Sequence, residues 1–507
     1  MLIELFAAAA AAIVAANPAS PVGPVGTVST LGPTYAIVTQ DQISLRAAPK
    51  DAAHAQAVLW QGDMVEVRAD KRDYWQVYDH RRERAGYVKA SQLRRISLKA
   101  EDSADTLAVV RFLRDTPGAD SLGLSYAAAW LKAASPAQTA AIGGEAFDAI
   151  GGMAERLARR ASSRLVKPND AVVAAHLEVV AQYGVVMKGY ERDGRMHLCY
   201  DGEAYRRVLA FPNASQEQKA RAALGLSRHD CIDPAMPALA RFNLDQWRGE
   251  VLERVDVASL PEYLKNRIKI RRAGVWSALA YQYRRQEGRE KSSSEAGQRA
   301  LAELASVNKA ELTDEDIGTY ADAAVRVGAS RWAAEPGLPG LPMASAKPGL
   351  SVVTRSGQPG ETCVALVDAK HDQQNPLIQR CTWGVVWAAS GRANAAGSAL
   401  TLAVQPLAGW REMWVFQNSA QGWRVDVLPP ASTDPEVGYA EFAGWVPGAN
   451  KMLVTREAKV EGRIKTRFEL ISMETLQVEN GADKPDSLNV FYRWQDAVWK
   501  RQTVALR

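Results

Sequence analysis

The four cysteines and two of the six histidines carry the clearest candidate chemistry in this 507-residue chain. The spacing His-x-Cys occurs twice, at His197 with Cys199 and at His229 with Cys231. Two imidazoles and two thiolates could bind zinc tetrahedrally, but structural zinc sites favour Cys-x-x-Cys and His-x-x-x-His spacing. Pairing in chain order closes the shortest loops. We therefore predict the disulfides Cys199–Cys231 and Cys363–Cys381, with zinc at His197, Cys199, His229 and Cys231 as the alternative.

A serine nucleophile is the other chemistry that the residue types allow. The run from Ser306 to Lys309 has Ser-x-x-Lys spacing, which places a lysine amine one helical turn from a serine hydroxyl. The accompanying Ser-Asp-Asn and Lys-Thr-Gly motifs are missing, and so are a Walker loop, His-Glu-x-x-His and Gly-x-Ser-x-Gly. We interpret this run as an exposed helix end, and the sequence favours a non-catalytic protein without a cofactor.

Positive charge is concentrated in one segment, although the net charge of the chain is only +5. Between Lys265 and Lys291 nine Lys or Arg residues face two acidic residues, with Trp276, Tyr281 and Tyr283 between them. Such a helix could contact a membrane surface, but we favour a solvated face whose apolar stripe lies in a core. Nucleic acid is not a predicted partner.

The elements that must position any site begin with short β-like runs between 35 and 95. In order they are Ile43-Ser44-Leu45-Arg46-Ala47-Ala48-Pro49, Leu59-Trp60-Gln61-Gly62, Trp75-Gln76-Val77 and Gly86-Tyr87-Val88. This order resembles the bacterial Src-homology-3-like (SH3-like) domain, a family of small extracytoplasmic barrels. The resemblance implies a β-barrel over 35–98 that binds envelope material, such as a peptidoglycan peptide, or docks on the protein's own neighbouring domain.

The aromatic residues of this module are the candidate binding residues. Trp75 and Tyr87 alternate with valines, so we expect at least half of the set to lie in the core. The set consists of Trp60, Tyr74, Trp75, Tyr78 and Tyr87.

A predicted export signal precedes the module. The apolar run over 1–16 ends in small residues and passes into a Pro-rich linker over 17–34, which is typical of a cleaved secretory leader. No Lys or Arg occurs before Arg46, so the usual positive start is missing. We predict a periplasmic or secreted protein, in which disulfides persist.

Helical periodicity dominates from 102 to 332, where we expect an all-α domain. One helix follows a cap at Asn169 or Asp170, another covers 260–286, and a third begins at Thr313. A Pro- and Gly-rich linker over 333–349 separates this domain from the rest of the chain.

Short β-like runs fill 350–507, a stretch that holds eight of the fourteen tryptophans. We expect an antiparallel all-β domain, with Cys381 to Trp387 and Asn489 to Trp494 among its strands. The run Trp445-Val446-Pro447-Gly448 and the strand after it resemble a β-propeller blade, and a weaker copy begins at Trp387. The domain is therefore predicted to be a sandwich or an incomplete propeller-like stack.

The sequence as a whole predicts a multidomain α+β protein: a barrel, a helical domain and an all-β domain. Its predicted function is an exported envelope-binding or scaffold protein, with a cell-wall or envelope partner. The alternatives are a cell-wall hydrolase with an unrecognised active site and a structural component of an envelope assembly. The oligomeric state stays open.

Overall fold

The computed structural model describes residues 33–163, 170–192, 194–335, 349–432, 435–497 and 499–500. The fold is mixed α+β, with an N-terminal antiparallel sheet, a central helical region and a C-terminal region rich in sheet. The chain divides into two compact units, Met1–Ala235 and Met236–Arg507. The leader predicted over 1–16 lies outside the described residues, as do most of the linkers predicted over 17–34 and 333–349.

Unit 1 begins with one seven-stranded antiparallel sheet in the order β3-β2-β6-β5-β4-β1-β7. Its strands are β1 (Thr34–Val38), β2 (Ile43–Arg46), β3 (Ala55–Leu59), β4 (Met64–Lys71), β5 (Tyr74–Asp79), β6 (Arg84–Lys89) and β7 (Leu93–Ile96). Successive side chains on a strand point to opposite faces, and the inner face gathers one apolar core. That core comprises Ala36, Val38, Ile43, Leu45, Leu59, Val65, Val77, Val88 and Leu93.

Helices and one ribbon complete unit 1. They are α1 (Ser103–Arg114), α2 (Asp120–Ala133), α3 (Pro136–Ser162), α4 (Ala171–Ala181), β8 (Met187–Arg192), β9 (Arg195–Tyr200), α5 (Glu203–Ala210) and α6 (Gln216–Leu226). Helix α3 starts at a capping box of Ser135 and Gln138, and Asp170 caps α4 by accepting from two backbone N–H groups. The β8–β9 ribbon was not indicated by the helical periodicity.

Unit 2 begins with four helices, continues into two sheets and ends its described part with a short helix. Its elements are α7 (Ala238–Glu253), α8 (Glu262–Arg284), α9 (Glu290–Ala305), α10 (Asp314–Ser330), β10 (Ser351–Ser356), β11 (Thr362–Val367), β12 (Ile378–Thr382), β13 (Val385–Ala393), β14 (Ala399–Leu407), β15 (Trp410–Ser419), β16 (Gly422–Leu428), β17 (Gly438–Trp445), β18 (Lys451–Val460), β19 (Arg463–Ser472), β20 (Val478–Ala482) and α11 (Asn489–Trp494). Strands β10 to β12 form a three-stranded sheet, and the other strands form an eight-stranded sheet. No described helix has both the length and the apolar composition needed to cross a bilayer.

Two predicted strands of unit 2 differ in the structure. The segment Asn489–Trp494 is helix α11, in which Phe491 packs on Phe468. A short apolar run fits a helix or a strand equally well, and tertiary packing decides between them. The run from Cys381 to Trp387 is divided between β12 and β13, with Gly384 in the turn.

A buried ion cluster joins the helices of unit 2 to its larger sheet. Glu441 of β17 forms ion pairs with Arg411 and Arg331, the latter at 2.7 Å. All three residues are buried, with 4%, 0% and 6% of their surfaces exposed. Arg411 also donates to the backbone carbonyl of Ala329 in α10. One carboxylate therefore compensates two buried guanidinium groups.

Candidate binding face of the N-terminal sheet

Two of the five predicted aromatic residues lie away from any shared outer face. Trp75 packs on the inner core of the sheet opposite Val88, and the Arg95 guanidinium stacks 4.6 Å from its ring centroid. Trp60 lies in the turn after β3, where its backbone N–H donates to Asp63 Oδ2 at 2.9 Å. Trp75 therefore contributes to the core, and Trp60 belongs to a turn.

The three tyrosines share the outer surface of the sheet. Because side chains alternate along a strand, Tyr74, Gln76 and Tyr78 of β5 point away from the inner core. Tyr87 of β6 joins them, since it lies directly opposite Gln76. We term these four residues the tyrosine face. Tyr74 is buried, whereas the other three are half-buried.

Basic residues on neighbouring strands border the tyrosine face at one end. Arg46 of β2 lies opposite Tyr87, and both Lys89 of β6 and Lys71 of β4 lie opposite Tyr74. Residues directly opposite in an antiparallel sheet share a face and lie close together. This end of the face therefore combines aromatic rings with positive charge.

The other end of the tyrosine face is mixed in charge. The Arg68 guanidinium lies 4.0 Å from the ring centroid of Tyr78, and His80 packs edge-on against the same ring. Glu66 lies opposite Tyr78 and pairs with His80 Nε2 at 2.8 Å. Here the charges compensate one another.

An acidic residue from the β2–β3 loop, residues 47–54, lies at the basic end. The Tyr74 hydroxyl donates to Asp51 Oδ1 at 2.7 Å, and Lys89 Nζ donates to the same oxygen at 2.8 Å. These bonds, first from Lys89 and then from Tyr74, hold the pKa of the Asp51 carboxyl below its usual value. Arg46 donates to the backbone carbonyls of Asp51 and Ala53 at 2.6 and 3.0 Å. The loop is thereby held over this end of the face.

Helices cover the outer surface of the other half of the sheet. Tyr35 and Ile37 of β1, Met64 of β4 and Ile96 of β7 pack into the apolar core formed by α1, α2 and α3. Strand β1 serves both cores, because Ala36 beside Ile37 points to the inner one. The sheet is therefore docked on the helices through one half of its outer surface.

The turn between β3 and β4 makes the closest polar contact with these helices. The Gly62 carbonyl accepts from Ser125 Oγ at 2.7 Å and from the Tyr183 hydroxyl at 2.6 Å. Burial raises the pKa of the Tyr183 phenol, so its hydroxyl stays a donor. Gly62 has a φ of +97°, and a Cβ there would lie 2.7 Å from the Ser121 carbonyl oxygen. Both constraints require glycine.

A buried histidine makes the second polar contact between sheet and helices. His176 of α4 is 2% exposed. Its Nδ1 lies 2.6 Å from Arg160 Nη2 and must accept, because a guanidinium only donates. Nε2 therefore carries the proton and donates to Asp41 Oδ1 at 2.7 Å. This chain of hydrogen bonds ties α4 and α3 to the β1–β2 loop.

Both predicted disulfides form, and all four cysteines are paired. Cys199 of β9 bonds to Cys231 with a Cα–Cα distance of 5.7 Å, and Cys363 and Cys381 lie directly opposite each other on β11 and β12. A ligand atom of His197 lies within 4.8 Å of the Cys199 and Cys231 sulfurs, and within the described chain His229 does not join that group. A disulfide offers no thiolate to a metal ion. The oxidised pair therefore does not provide the alternative zinc site.

The Ser-x-x-Lys motif is not assembled as a nucleophile with its base. Ser306 is the C-cap residue of α9, and its hydroxyl donates to the backbone carbonyl of Glu303 at 2.8 Å. The Lys309 ammonium lies instead 5.3 Å from the ring centroid of Tyr320.

The basic segment from Lys265 to Lys291 forms most of α8, and several of its cations have partners inside unit 2. Arg267 pairs with Asp316 at 2.8 Å, and Lys269 donates to the carbonyl of Ser306. The buried Arg272 donates to the backbone carbonyls of Leu252 in α7 and of Val255 just after that helix. These contacts tie α8 to its neighbours within unit 2.

The docking residues Gly62, Ser125, His176 and Tyr183 could not be found from the sequence. Gly62 closes the run from Leu59 that carries the resemblance, but no motif indicates that it contacts Ser125 and Tyr183 or that His176 contacts Asp41. The chain matches no family model, no curated protein and no solved structure.

Proposed function

We propose that this protein is an exported, non-catalytic binding protein of the cell envelope, and that its N-terminal module is an SH3-like barrel that holds an envelope peptide on the tyrosine face. One observation carries the proposal: the outer surface of the sheet has two different halves. Ile37 and Ile96 lie in the helical core, whereas Tyr78 and Tyr87 are half-buried and lie on the other half, which basic residues border at one end.

Docking and ligand binding use different parts of the module in this proposal. The contacts of Gly62 with Ser125 and Tyr183 fix the module on α2 and on the end of α4. A fixed module presents its binding face in one orientation, which lowers the entropy lost on binding. In this proposal the helical part of unit 1 holds the binding face in place.

Export is supported by the two disulfides, which persist in oxidising compartments such as the periplasm or the extracellular space. In unit 2 we propose a sandwich-like arrangement of the two sheets. Val364 and Leu366 of the smaller sheet share an apolar core with Leu402 and Phe416 of the larger one.

The proposal is tested by sedimentation of the full chain with purified cell-wall sacculi. Deleting the module would expose the helical core that Ile37 and Ile96 cover, so point variants are preferable. We expect the double variant Tyr78→Ala/Tyr87→Ala to bind sacculi at least about ten-fold more weakly, because tyrosines often contribute much of the binding energy of an interface. Tyr492→Ala is the matched control, because that tyrosine is 72% exposed and lies in unit 2.

Three results would contradict the proposal. The intact chain would fail to bind sacculi, the double variant would bind as well as the Tyr492 control, or soluble wall fragments would be released. The last result would identify a hydrolase instead.

A further inference from the structure

The carboxylate of Asp51 lies on the tyrosine face and accepts hydrogen bonds that a ligand's carboxylate could accept in its place. Two donors of different kinds converge on its Oδ1, the Tyr74 hydroxyl at 2.7 Å and the Lys89 ammonium at 2.8 Å. Tyr74 is only 7% exposed. A tyrosine hydroxyl held by a packed ring beside an ammonium group forms a directional site for an anion.

The segment that delivers this carboxylate is a surface loop. Besides the bonds to the Asp51 carboxylate, Arg46 donates to the backbone carbonyls of Asp51 and Ala53, and the Ala47 N–H donates to the His54 carbonyl. These last contacts hold the loop without using the carboxylate. The side chain of Asp51 is 68% exposed and that of Lys89 is 41% exposed. Ion pairs between such exposed groups contribute little to stability, because water and salt screen them. The loop carboxylate can therefore leave without unfolding the sheet.

The charges around this position suit an anion. Arg46, Lys71 and Lys89 lie on the same face as Tyr74 and Tyr87, as their cross-strand pairing requires. The Asp51 carboxylate pairs with Lys89, and Arg46 donates to the backbone carbonyl of the same residue. Without its carboxylate, three cations would border two aromatic rings.

We infer that the tyrosine face recognises its peptide ligand through a carboxylate group, and that Asp51 is a built-in occupant which this carboxylate displaces. The inference rests on the proposed function, because it names the ligand chemistry of the same face. The ligand carboxylate takes the hydrogen bonds from Tyr74 and Lys89, and the adjoining hydrocarbon packs on the tyrosine rings.

The test measures the affinity of the full chain for acetyl-Ala-Ala with a free carboxylate and for the same dipeptide as its C-terminal amide. We expect the free acid to bind more tightly. Asp51→Asn removes the competing charge and should raise affinity for the acid about two- to five-fold, the effect of one exposed ion pair. Lys89→Gln and Tyr74→Phe should each lower it about three-fold or more.

Asp70→Asn is the matched control. Asp70 forms an exposed ion pair with Arg95 at 3.2 Å in the same module, but it lies opposite Trp75 and therefore on the other face of the sheet. Asp70→Asn should leave the affinities for the free acid and for the amide unchanged. Asp51→Ala, which removes the side chain, should behave like Asp51→Asn.

The outcomes separate this inference from the proposed function. If sacculi are bound but acid and amide bind equally and Asp51→Asn has no effect, the inference is overturned and the proposed function stands. If the acid is preferred and Asp51→Asn strengthens it while sacculi are not bound, the inference stands and the cell-wall assignment fails. If neither the sacculi nor either dipeptide is bound, both are overturned.

Discussion

Replacing Gly62 with alanine tests whether the N-terminal sheet is fixed to the helices as described. The new Cβ would lie 2.7 Å from the Ser121 carbonyl and from Ser125 Oγ, and the φ of +97° disfavours any side chain. Left-handed backbone costs about 1–2 kcal/mol, and overpacking a tight contact costs about 1–3 kcal/mol. We therefore expect Gly62→Ala to lower the free energy of unfolding by about 2–5 kcal/mol.

Gly118→Ala is the matched control for backbone strain. Gly118 also has a positive φ, +79°, but a Cβ there would meet no atom within 4 Å. This variant should lose only the strain of about 1–2 kcal/mol. The difference between the two variants isolates the contact of the β3–β4 turn with α2.

Urea denaturation measures the decrease in the free energy of unfolding. Hydrogen exchange read by mass spectrometry shows which elements are destabilised. Because the chain has two units, a single transition cannot be assumed. Exchange should accelerate in peptides covering β1, β4 and α2 and stay unchanged in unit 2. If Gly62→Ala and Gly118→Ala agree within about 0.5 kcal/mol, the tight contact at Gly62 contributes nothing to stability.

Three further predictions concern the buried charges, the first disulfide and a histidine. Glu441→Gln leaves Arg331 and Arg411 buried without a carboxylate and should cost about 3–5 kcal/mol in urea denaturation. Glu461→Gln is the control. It removes an exposed ion pair and should lower the free energy of unfolding by under about 1 kcal/mol. Cys199 and Cys231 are 32 residues apart in sequence, and replacing both by serine opens the loop that they close. This double variant should lower the free energy of unfolding by about 4 kcal/mol. Equal stability of the reduced and the oxidised wild-type protein would contradict this prediction. Burial lowers the pKa of His197. Asp230 raises this pKa in part, and Arg228 and Arg192 lower it further. The stability contributed by His197 is therefore present above pH 6.5, the ordinary value, and is lost as the pH falls through its folded pKa. His197→Asn should flatten the pH dependence in that range, and an unchanged slope would refute the assignment.

Strands were predictable where one face is buried and the other is not. Val77 and Val88 alternate with polar or half-exposed neighbours, and β5 and β6 follow that alternation. The cap at Asp170 was also visible, because a short acidic side chain before an apolar stripe satisfies free N–H groups. The Asn489–Trp494 segment was not predictable, since its helix depends on Phe491 packing against Phe468 of β19.

The candidate site was only partly visible in the sequence. Residue types nominated five aromatic side chains, but alternation alone could not say which neighbours would cover them. The pairing of β5 with β6 separates Trp75 from Tyr78 and Tyr87. The contact of Asp51 with Tyr74 spans 23 residues of sequence, so no local pattern reports it.

The sequence by itself determined the types and local periods of most elements, the cysteine pairs and the set of aromatic candidates, because these depend on residue chemistry and short-range spacing. Only the tertiary structure decided which half of the sheet docks on helices and which half carries the tyrosines. That choice depends on contacts such as Gly62 with Tyr183 and His176 with Asp41, which lie 121 and 135 residues apart in sequence. Contacts of that separation arise from packing of the whole unit, and local propensity does not encode them.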